Sequence, residues 1–135
     1  MKVLVDTSAW ADFLNDFASP VAVTLSELLR GDDDVCTCGI VVAEVFQGLR
    51  REKGRDGIRQ SFGELTFLEP AGIGLYLRAA ELHRLLRARG RTVRSTIDCI
   101  IVAIAEENGA YLLARDGDID AILESGLVRT RAWPA

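Results

Sequence analysis

Four acidic residues stand at positions where their types and spacing would allow metal chemistry. Asp6 directly follows a short apolar run, and Asp116 closely follows another. Asp98 lies near the start of the most regular helical pattern of apolar residues, and Glu44 lies beside an earlier pattern of this kind. Carboxylates brought together in one pocket repel one another, and they supply the hard oxygen ligands that Mg²⁺ or Mn²⁺ prefers. Together the four residues predict a divalent-metal site.

Each acid also has a purely structural explanation. Asp6 and Asp116 could cap the helices that follow them, because a carboxylate accepts hydrogen bonds from free backbone N–H groups there. The segment Ser95-Thr96-Ile97-Asp98 matches a capping box. Glu44 could be a surface acid near a helix start. For any single acid we prefer this explanation. For the set we prefer a metal site. Two like charges about 4 Å apart repel by roughly 4 kcal/mol at an effective dielectric of 20, and a bound cation would relieve this repulsion.

Patterns for other metals are incomplete in this sequence. His83 is the single histidine, and Cys36 and Cys38 lack the two-residue gap of a zinc knuckle. Three cysteines leave one over from any disulfide pairing, so we expect them to be reduced. The segment Asp116-Gly-Asp118-Ile-Asp120 resembles the start of an EF-hand loop, but Ala121 stands where glycine is needed. Zinc and calcium are therefore less consistent with the sequence than Mg²⁺ or Mn²⁺.

The elements that must position these acids alternate between strand and helix. Short apolar, β-branched runs predict strands at about 2–6, 35–38, 66–68, 111–114 and 127–129. Apolar residues at helical spacing predict helices at about 8–15, 20–29, 40–52, 56–64, 73–88, 97–107 and 119–123.

This alternation predicts an α/β fold with a mostly parallel sheet that is covered by helices on both faces. Its 135 residues fit a single domain spanning 1–135. Ligands gather at the carboxyl ends of parallel strands. Asp6 and Asp116 should lie at this edge of the sheet, and helices that begin nearby could add Asp98 and Glu44.

Charge and hydropathy constrain the partners. The formal net charge of −4 at pH 7 argues against nucleic-acid binding through bulk charge. Arginine-rich runs at 50–59 and 78–94 could line a phosphate path, although we prefer to interpret them as solvated helix faces. No apolar run reaches the roughly 18 residues that span a bilayer, and no signal segment opens the chain. We expect a cytoplasmic protein without a membrane partner.

Four short motifs, taken in order, resemble those of PIN-domain nucleases. They are Val-Leu-Val-Asp6-Thr7-Ser8-Ala-Trp10, Ala43-Glu44-Val45, Ser95-Thr96-Ile97-Asp98 and Leu112-Leu113-Ala114-Arg115-Asp116-Gly-Asp118. Each motif alone has little specificity. Their order and separation over residues 2–120 resemble the VapC toxins in particular.

The resemblance implies a PIN-like three-layer α/β sandwich and Mg²⁺- or Mn²⁺-dependent endonucleolytic hydrolysis of RNA, often transfer or ribosomal RNA. It implies that Asp6 and Asp98 are the principal metal ligands and that Glu44 and Asp116 complete the acidic cluster. Metal ions in such sites polarise the phosphate and lower the pKa of a bound water. The carboxylate of Asp98 or Asp116 would orient that water or accept its proton.

The resemblance also implies auxiliary roles for residues of the same motifs. Thr7 matches a hydroxyl that supports the first aspartate, and Asp118 matches a second acid of the last motif. We include Thr96 as auxiliary as well. Arg115 stands where many relatives carry a small hydroxyl residue, and it could touch a substrate phosphate or point to solvent.

Partners follow from the resemblance too: a VapB-like antitoxin, which would make the chain a growth-inhibiting toxin, and a second copy in a homodimer. Trp10, Phe13 and Leu14 could form an apolar partner surface, although we prefer core packing for them.

The alternative function is a non-catalytic PIN-like module that binds RNA or protein. Such a module would be expected to lose acids, and all four are present. A phosphorelay receiver needs a lysine after a late strand, and Lys2 and Lys53 are the only lysines.

Overall fold

A computed structural model describes residues 1–49 and 54–135 of the chain. Within these ranges the strands are β1 (Lys2–Val5), β2 (Asp34–Thr37), β3 (Thr66–Phe67) and β4 (Tyr111–Leu113). The helices are α1 (Thr7–Leu14), α2 (Pro20–Arg30), α3 (Gly39–Gly48), α4 (Arg55–Gly63), α5 (Ile73–Ala88), α6 (Thr96–Glu107) and α7 (Gly117–Glu124).

The four strands form one parallel sheet in the order β3-β2-β1-β4. In the central strand β1, Leu4 lies opposite Cys36 of β2 and Leu112 of β4. Successive strand residues point to opposite faces, yet Val3, Leu4 and Val5 are each 0% exposed. Both faces of the sheet are therefore covered, which confirms the predicted α/β sandwich of three layers.

The covering helices pack in two groups. α1 packs against α2 and α3, whereas α6 packs against α5, α7 and β4. Residues 101–105 of α6 are all buried, so this helix lies in the interior rather than on the surface. Its first turn carries Asp98. A rigid, buried element therefore positions that carboxylate.

One predicted strand is wrong. No strand forms at 127–129 in the described C-terminal region, and the chain pairs with β4 through an isolated parallel bridge between Leu112 and Ala132. Side chains satisfy the backbone at 127–129 instead. The Arg129 N–H donates to Glu106 at 2.9 Å, and the Leu127 carbonyl accepts from Arg78 at 2.7 Å. Backbone groups that bond to side chains in this way do not require hydrogen bonds to a neighbouring strand.

Other differences are confined to element ends. The helix predicted at 40–52 ends at Gly48, after which Leu49 is extended. Glycine disfavours helix because of its backbone freedom, which explains the early end. Residues 50–52 of that prediction, like Arg50, Arg51 and Lys53 of the arginine-rich run, lie outside the described residues.

All three cysteines are buried and unpaired. The described helices include none that is long and apolar enough to cross a membrane.

Candidate active site

Asp6 and Asp116 lie at the carboxyl ends of the neighbouring strands β1 and β4. The Asp6 N–H donates to the Leu113 carbonyl at 2.9 Å, which continues the β1–β4 pairing. Both acids cap a helix: Asp6 Oδ2 accepts from the Ser8 N–H at 3.0 Å, and Asp116 Oδ1 accepts from Asp118 and Ile119 at 2.8 and 3.1 Å. Between described residues, these bonds reach one oxygen of each carboxylate. Helix capping and ligand binding are therefore compatible.

Asp98 meets two of the other acids. One carboxylate oxygen from each of Asp98, Asp116 and Asp118 lies within 4.8 Å of the others. The predicted capping box is not formed, because Ser95 accepts from the Ile97 N–H at 3.1 Å. Among the hydrogen bonds of the described residues, none reaches the Asp98 carboxylate. This carboxylate is therefore available to a ligand. Asp6 and Glu44 are not part of this close group, but their charges are near enough to contribute to a raised pKa of Asp98. We call Asp6, Glu44, Asp98, Asp116 and Asp118 together the acidic cluster.

Burial and repulsion raise the pKa of two acids in the acidic cluster, Asp98 and Asp6. Loss of hydration, followed by repulsion from Asp116 and Asp6, raises the pKa of Asp98 to about 7. Burial likewise raises the pKa of Asp6, although hydrogen bonds from Ser8 oppose the shift. A nearby divalent cation favours the ionised form of such carboxyls. The cluster thus has the electrostatic character of a cation site.

The donor set fits a hard cation. The acidic cluster offers carboxylate oxygens, and it contains no histidine. Cys38 is close enough to feel the charges of Asp6 and Glu44, but burial raises the pKa of its thiol, so the proton is retained. Oxygen ligands without imidazole or thiolate suit Mg²⁺ or Mn²⁺ rather than zinc.

The hydroxyls of Thr7 and Ser8, which follow Asp6 in the chain, donate hydrogen bonds to different acids. Thr7, predicted to support Asp6, donates its hydroxyl to Glu44 Oε1 at 2.8 Å instead, which links α1 to α3. Ser8 supports Asp6: its hydroxyl donates to Asp6 Oδ2 at 2.6 Å and accepts the Arg115 N–H at 2.9 Å. The sequence interpretation missed Ser8. The available signal was a hydroxyl residue two positions after a capping aspartate, where local side-chain bonds are common.

The predicted auxiliary residues differ in their surroundings. Asp118 belongs to the acidic cluster and accepts from Arg94 Nε at 3.0 Å. This bond lowers the pKa of Asp118. Thr96 is exposed at the start of α6, and its hydroxyl makes no hydrogen bond within the described part of the chain. Its auxiliary role stays a prediction.

Arg115 pairs with an acid outside the acidic cluster. Its Nε and Nη2 donate to the two oxygens of Asp12 at 2.6 and 2.7 Å. Ser19 donates to Asp12 at 2.6 Å, and the guanidinium lies 5.5 Å from the centre of the Phe17 ring. These contacts connect α1 and the loop before α2 to the segment that carries Asp116. The pairing gives Arg115 a structural role, and its predicted phosphate contact stays a prediction.

We expect Arg115→Met to lower the urea midpoint more than Asp12→Asn. Without the guanidinium, Asp12 remains a carboxylate that is only 6% exposed, whereas the Arg115 side chain is 58% exposed and can be hydrated. The Arg115 hydrogen bonds lower the pKa of Asp12. The pair therefore stabilises the fold above the unfolded pKa of about 3.9, and this contribution is lost as pH falls through the folded pKa.

Urea unfolding of both variants at pH 7 and pH 3 measures this difference. It should shrink at pH 3, where proton uptake removes the buried charge. Equal midpoints for the two variants at pH 7 would contradict the proposed asymmetry.

Known proteins resemble this chain in sequence. Residues 3–123 match the family described as PIN domain. The VapC ribonuclease Mb1587 of Mycobacterium bovis is 31% identical over 121 residues, which cover 89% of this chain and 90% of the relative. Ribonuclease VapC11 of Mycobacterium tuberculosis matches with the same identity and coverage.

Solved structures resemble its fold. VapBC-1 from nontypeable Haemophilus influenzae matches with a TM-score of 0.72 and 17% identity, over 99% of this chain and 98% of that one. Mycobacterium tuberculosis VapC20, described as a sarcin-ricin loop cleaving toxin, matches with a TM-score of 0.60 and 26% identity. That match covers 96% of this chain and 98% of VapC20.

Proposed function

The chain belongs to the PIN-domain family and, within it, to the VapC ribonucleases, and we propose that it is the metal-dependent endoribonuclease of a toxin–antitoxin pair. One observation supports this proposal most strongly. Asp98, in the first turn of α6, lies close to Asp116 and Asp118, which follow β4, at the carboxyl edge of the parallel sheet, where α/β proteins bind their ligands. We further propose that residues 1–135 form a single PIN domain and act on cellular RNA, which would place the protein in the cytoplasm.

The proposed metal ligands are the four acids predicted from the sequence: Asp6, Glu44, Asp98 and Asp116. The oxygens that lie within 4.8 Å of one another support Asp98 and Asp116 and favour adding Asp118. When bound, Mg²⁺ or Mn²⁺ would polarise the scissile phosphate and supply an activated water ligand.

The hydrogen bonds of the acids indicate which of them position the site and which could act on the attacking water. Two backbone N–H groups fix Asp116, and the Thr7 hydroxyl fixes Glu44, so these carboxylates suit a positioning role. Asp98 lies on a rigid helix, and no described hydrogen bond restrains its carboxylate. We therefore favour Asp98, ahead of Asp116, as the group that orients the attacking water or accepts its proton.

A VapB-like antitoxin and a second copy of the chain are the proposed protein partners. The fold neighbours include VapBC-1, which supports an antitoxin partner. The suggested surface needs revision, because Trp10 is 4% exposed and Phe13 and Leu14 pack against the core. Core packing, the preferred role, is thus what the structure shows for them. Exposed apolar side chains in the loop after α1 and in α2 include Phe17, Val23 and Leu29.

We expect purified chain, free of any antitoxin, to cleave bulk RNA with Mn²⁺ and to lose this activity completely in EDTA. Without a cation the acidic cluster repels the phosphate backbone, so both binding at the site and hydrolysis should fail. Restoring excess Mn²⁺ to the EDTA-treated sample is the control for irreversible damage. Sequencing of the RNA ends would then identify the substrate, for which transfer and ribosomal RNA are the candidates. RNA binding without cleavage would support the non-catalytic module instead.

A further inference from the structure

Arg94 connects the loop before α6 to the acidic cluster. Its Nε donates to Asp118 Oδ2 at 3.0 Å, and its backbone N–H donates to the same oxygen at 3.2 Å. The preceding residue anchors this loop, since Val93 is buried and its carbonyl contacts His83 Nε2 at 3.2 Å. In contrast, the Arg94 side chain is 82% exposed. The guanidinium can therefore leave Asp118 while the backbone stays in place.

Charge makes this guanidinium a competitor of a metal ion. Of the ion pairs formed between described residues, the one that involves the acidic cluster is Arg94 with Asp118. Asp118 also contributes one of the three clustered oxygens. A divalent ion bound to these oxygens would lie within a few ångströms of the guanidinium paired with Asp118, and the two cations would repel. Binding of the ion should therefore be coupled to departure of the guanidinium.

We propose that Arg94 is an internal counter-ion of the acidic cluster, which a divalent ion displaces from Asp118 and which then contacts a phosphate of the RNA. The RNA contact rests on the proposed ribonuclease function, whereas the competition with metal does not. The planar guanidinium fork suits a phosphate as well as it suits a carboxylate. Its high exposure, at the edge of the site where a scissile phosphate must bind, provides the access.

Titration calorimetry with Mn²⁺ alone tests the competition. Arg94→Gln should bind Mn²⁺ about tenfold tighter than the unsubstituted chain, because one repelling charge is removed and the Asp118 carboxylate no longer pairs with a guanidinium. Arg94→Lys keeps the charge and should stay close to the unsubstituted chain. Arg91→Gln is the matched control, since it removes an exposed arginine of the same loop whose side chain has no partner among the described residues. All variants should melt at similar temperatures, because exposed ion pairs contribute little stability.

The outcomes separate this inference from the proposed function. If the unsubstituted chain binds no Mn²⁺, the metal-dependent function fails and this inference fails with it. If that chain binds Mn²⁺ but Arg94→Gln binds equally or more weakly, the counter-ion role alone is overturned. Equal tightening in Arg91→Gln would assign the effect to overall charge and would also overturn it.

Cleavage kinetics test the RNA contact. Arg94→Gln should raise KM for RNA despite its tighter Mn²⁺ binding, and the dependence of log KM on log salt should become shallower by about one. A purely structural arginine would not move these two affinities in opposite directions. An unchanged KM and salt slope would overturn the phosphate contact.

Discussion

Asp98→Asn is expected to lower RNA cleavage by at least about a hundredfold and yet to raise the melting temperature of the metal-free protein. The loss of activity follows because the amide can neither accept a proton nor bind a cation as a carboxylate does. The gain in stability follows because the substitution removes a charge that burial and neighbouring acids disfavour. A residue that costs stability in order to serve a site is expected at functional positions.

The pH dependence of this stabilisation has a defined sign. In the unfolded chain Asp98 ionises at its ordinary pKa of 3.8, whereas in the folded, metal-free protein its pKa is about 7. Between these values the unfolded chain loses its proton first, so rising pH destabilises the fold relative to Asp98→Asn. The advantage of the variant should be absent below about pH 4 and complete above about pH 7. Because the carboxyl is partly hydrated, we expect the variant to gain about 1–2 kcal/mol in free energy of unfolding, or roughly 3–6 °C in melting temperature.

Thermal melts in EDTA at pH 4, 6 and 8 measure this effect. Asp32→Asn is the matched control, since it neutralises an exposed aspartate near the start of β2, at the opposite edge of the sheet from the acidic cluster. Saturating Mn²⁺ should reverse the order of stabilities, because ligand binding stabilises only the chain that retains the site. If Asp98→Asn melts below the unsubstituted chain at pH 8 in EDTA, repulsion within the acidic cluster is not the dominant effect.

The edge of the sheet that carries the site could be predicted from sequence because parallel α/β topology leaves little freedom. Asp6 and Asp116 each follow an apolar run, and the carboxyl ends of parallel strands meet at one edge. The order of strands could not be predicted, however. That β4 pairs with β1, and so makes these two acids neighbours, depends on packing between residues more than a hundred positions apart.

The contacts that orient the acids were not predictable for the same reason. Ser8 bonds to Arg115, and Arg115 bonds to Asp12, across more than a hundred residues of sequence. Local patterns carry no information about such pairs. The pairing of Arg94 with Asp118 likewise depends on how the loop before α6 approaches α7. The strand predicted at 127–129 failed because distant side chains, rather than a neighbouring strand, satisfy its backbone.

Ser8→Ala is expected to reduce RNA cleavage by about 10- to 100-fold, although Ser8 is not a proposed metal ligand. Its hydroxyl bonds both to Asp6 and to the segment carrying Asp116, at 2.6 and 2.9 Å. Removing it should let the two strand-end acids shift relative to each other. The fold should also lose about 1–2 kcal/mol, because Asp6 is only 4% exposed and would lose a hydrogen bond.

The pH dependence of cleavage distinguishes a positioning role of Ser8 from a general loss of stability. The hydrogen bond from the Ser8 hydroxyl lowers the pKa of Asp6, so its loss should raise that pKa and move the acidic limb of the pH–activity profile to higher pH. Ser8→Thr retains the hydroxyl and should restore most of the activity and the original profile. Ser61→Ala, at an exposed position of α4, controls for loss of a hydroxyl elsewhere. If Ser8→Ala were folded and cleaved RNA at the unsubstituted rate and pH optimum, the acids would not need this bridge, and the sheet edge alone would hold them in register.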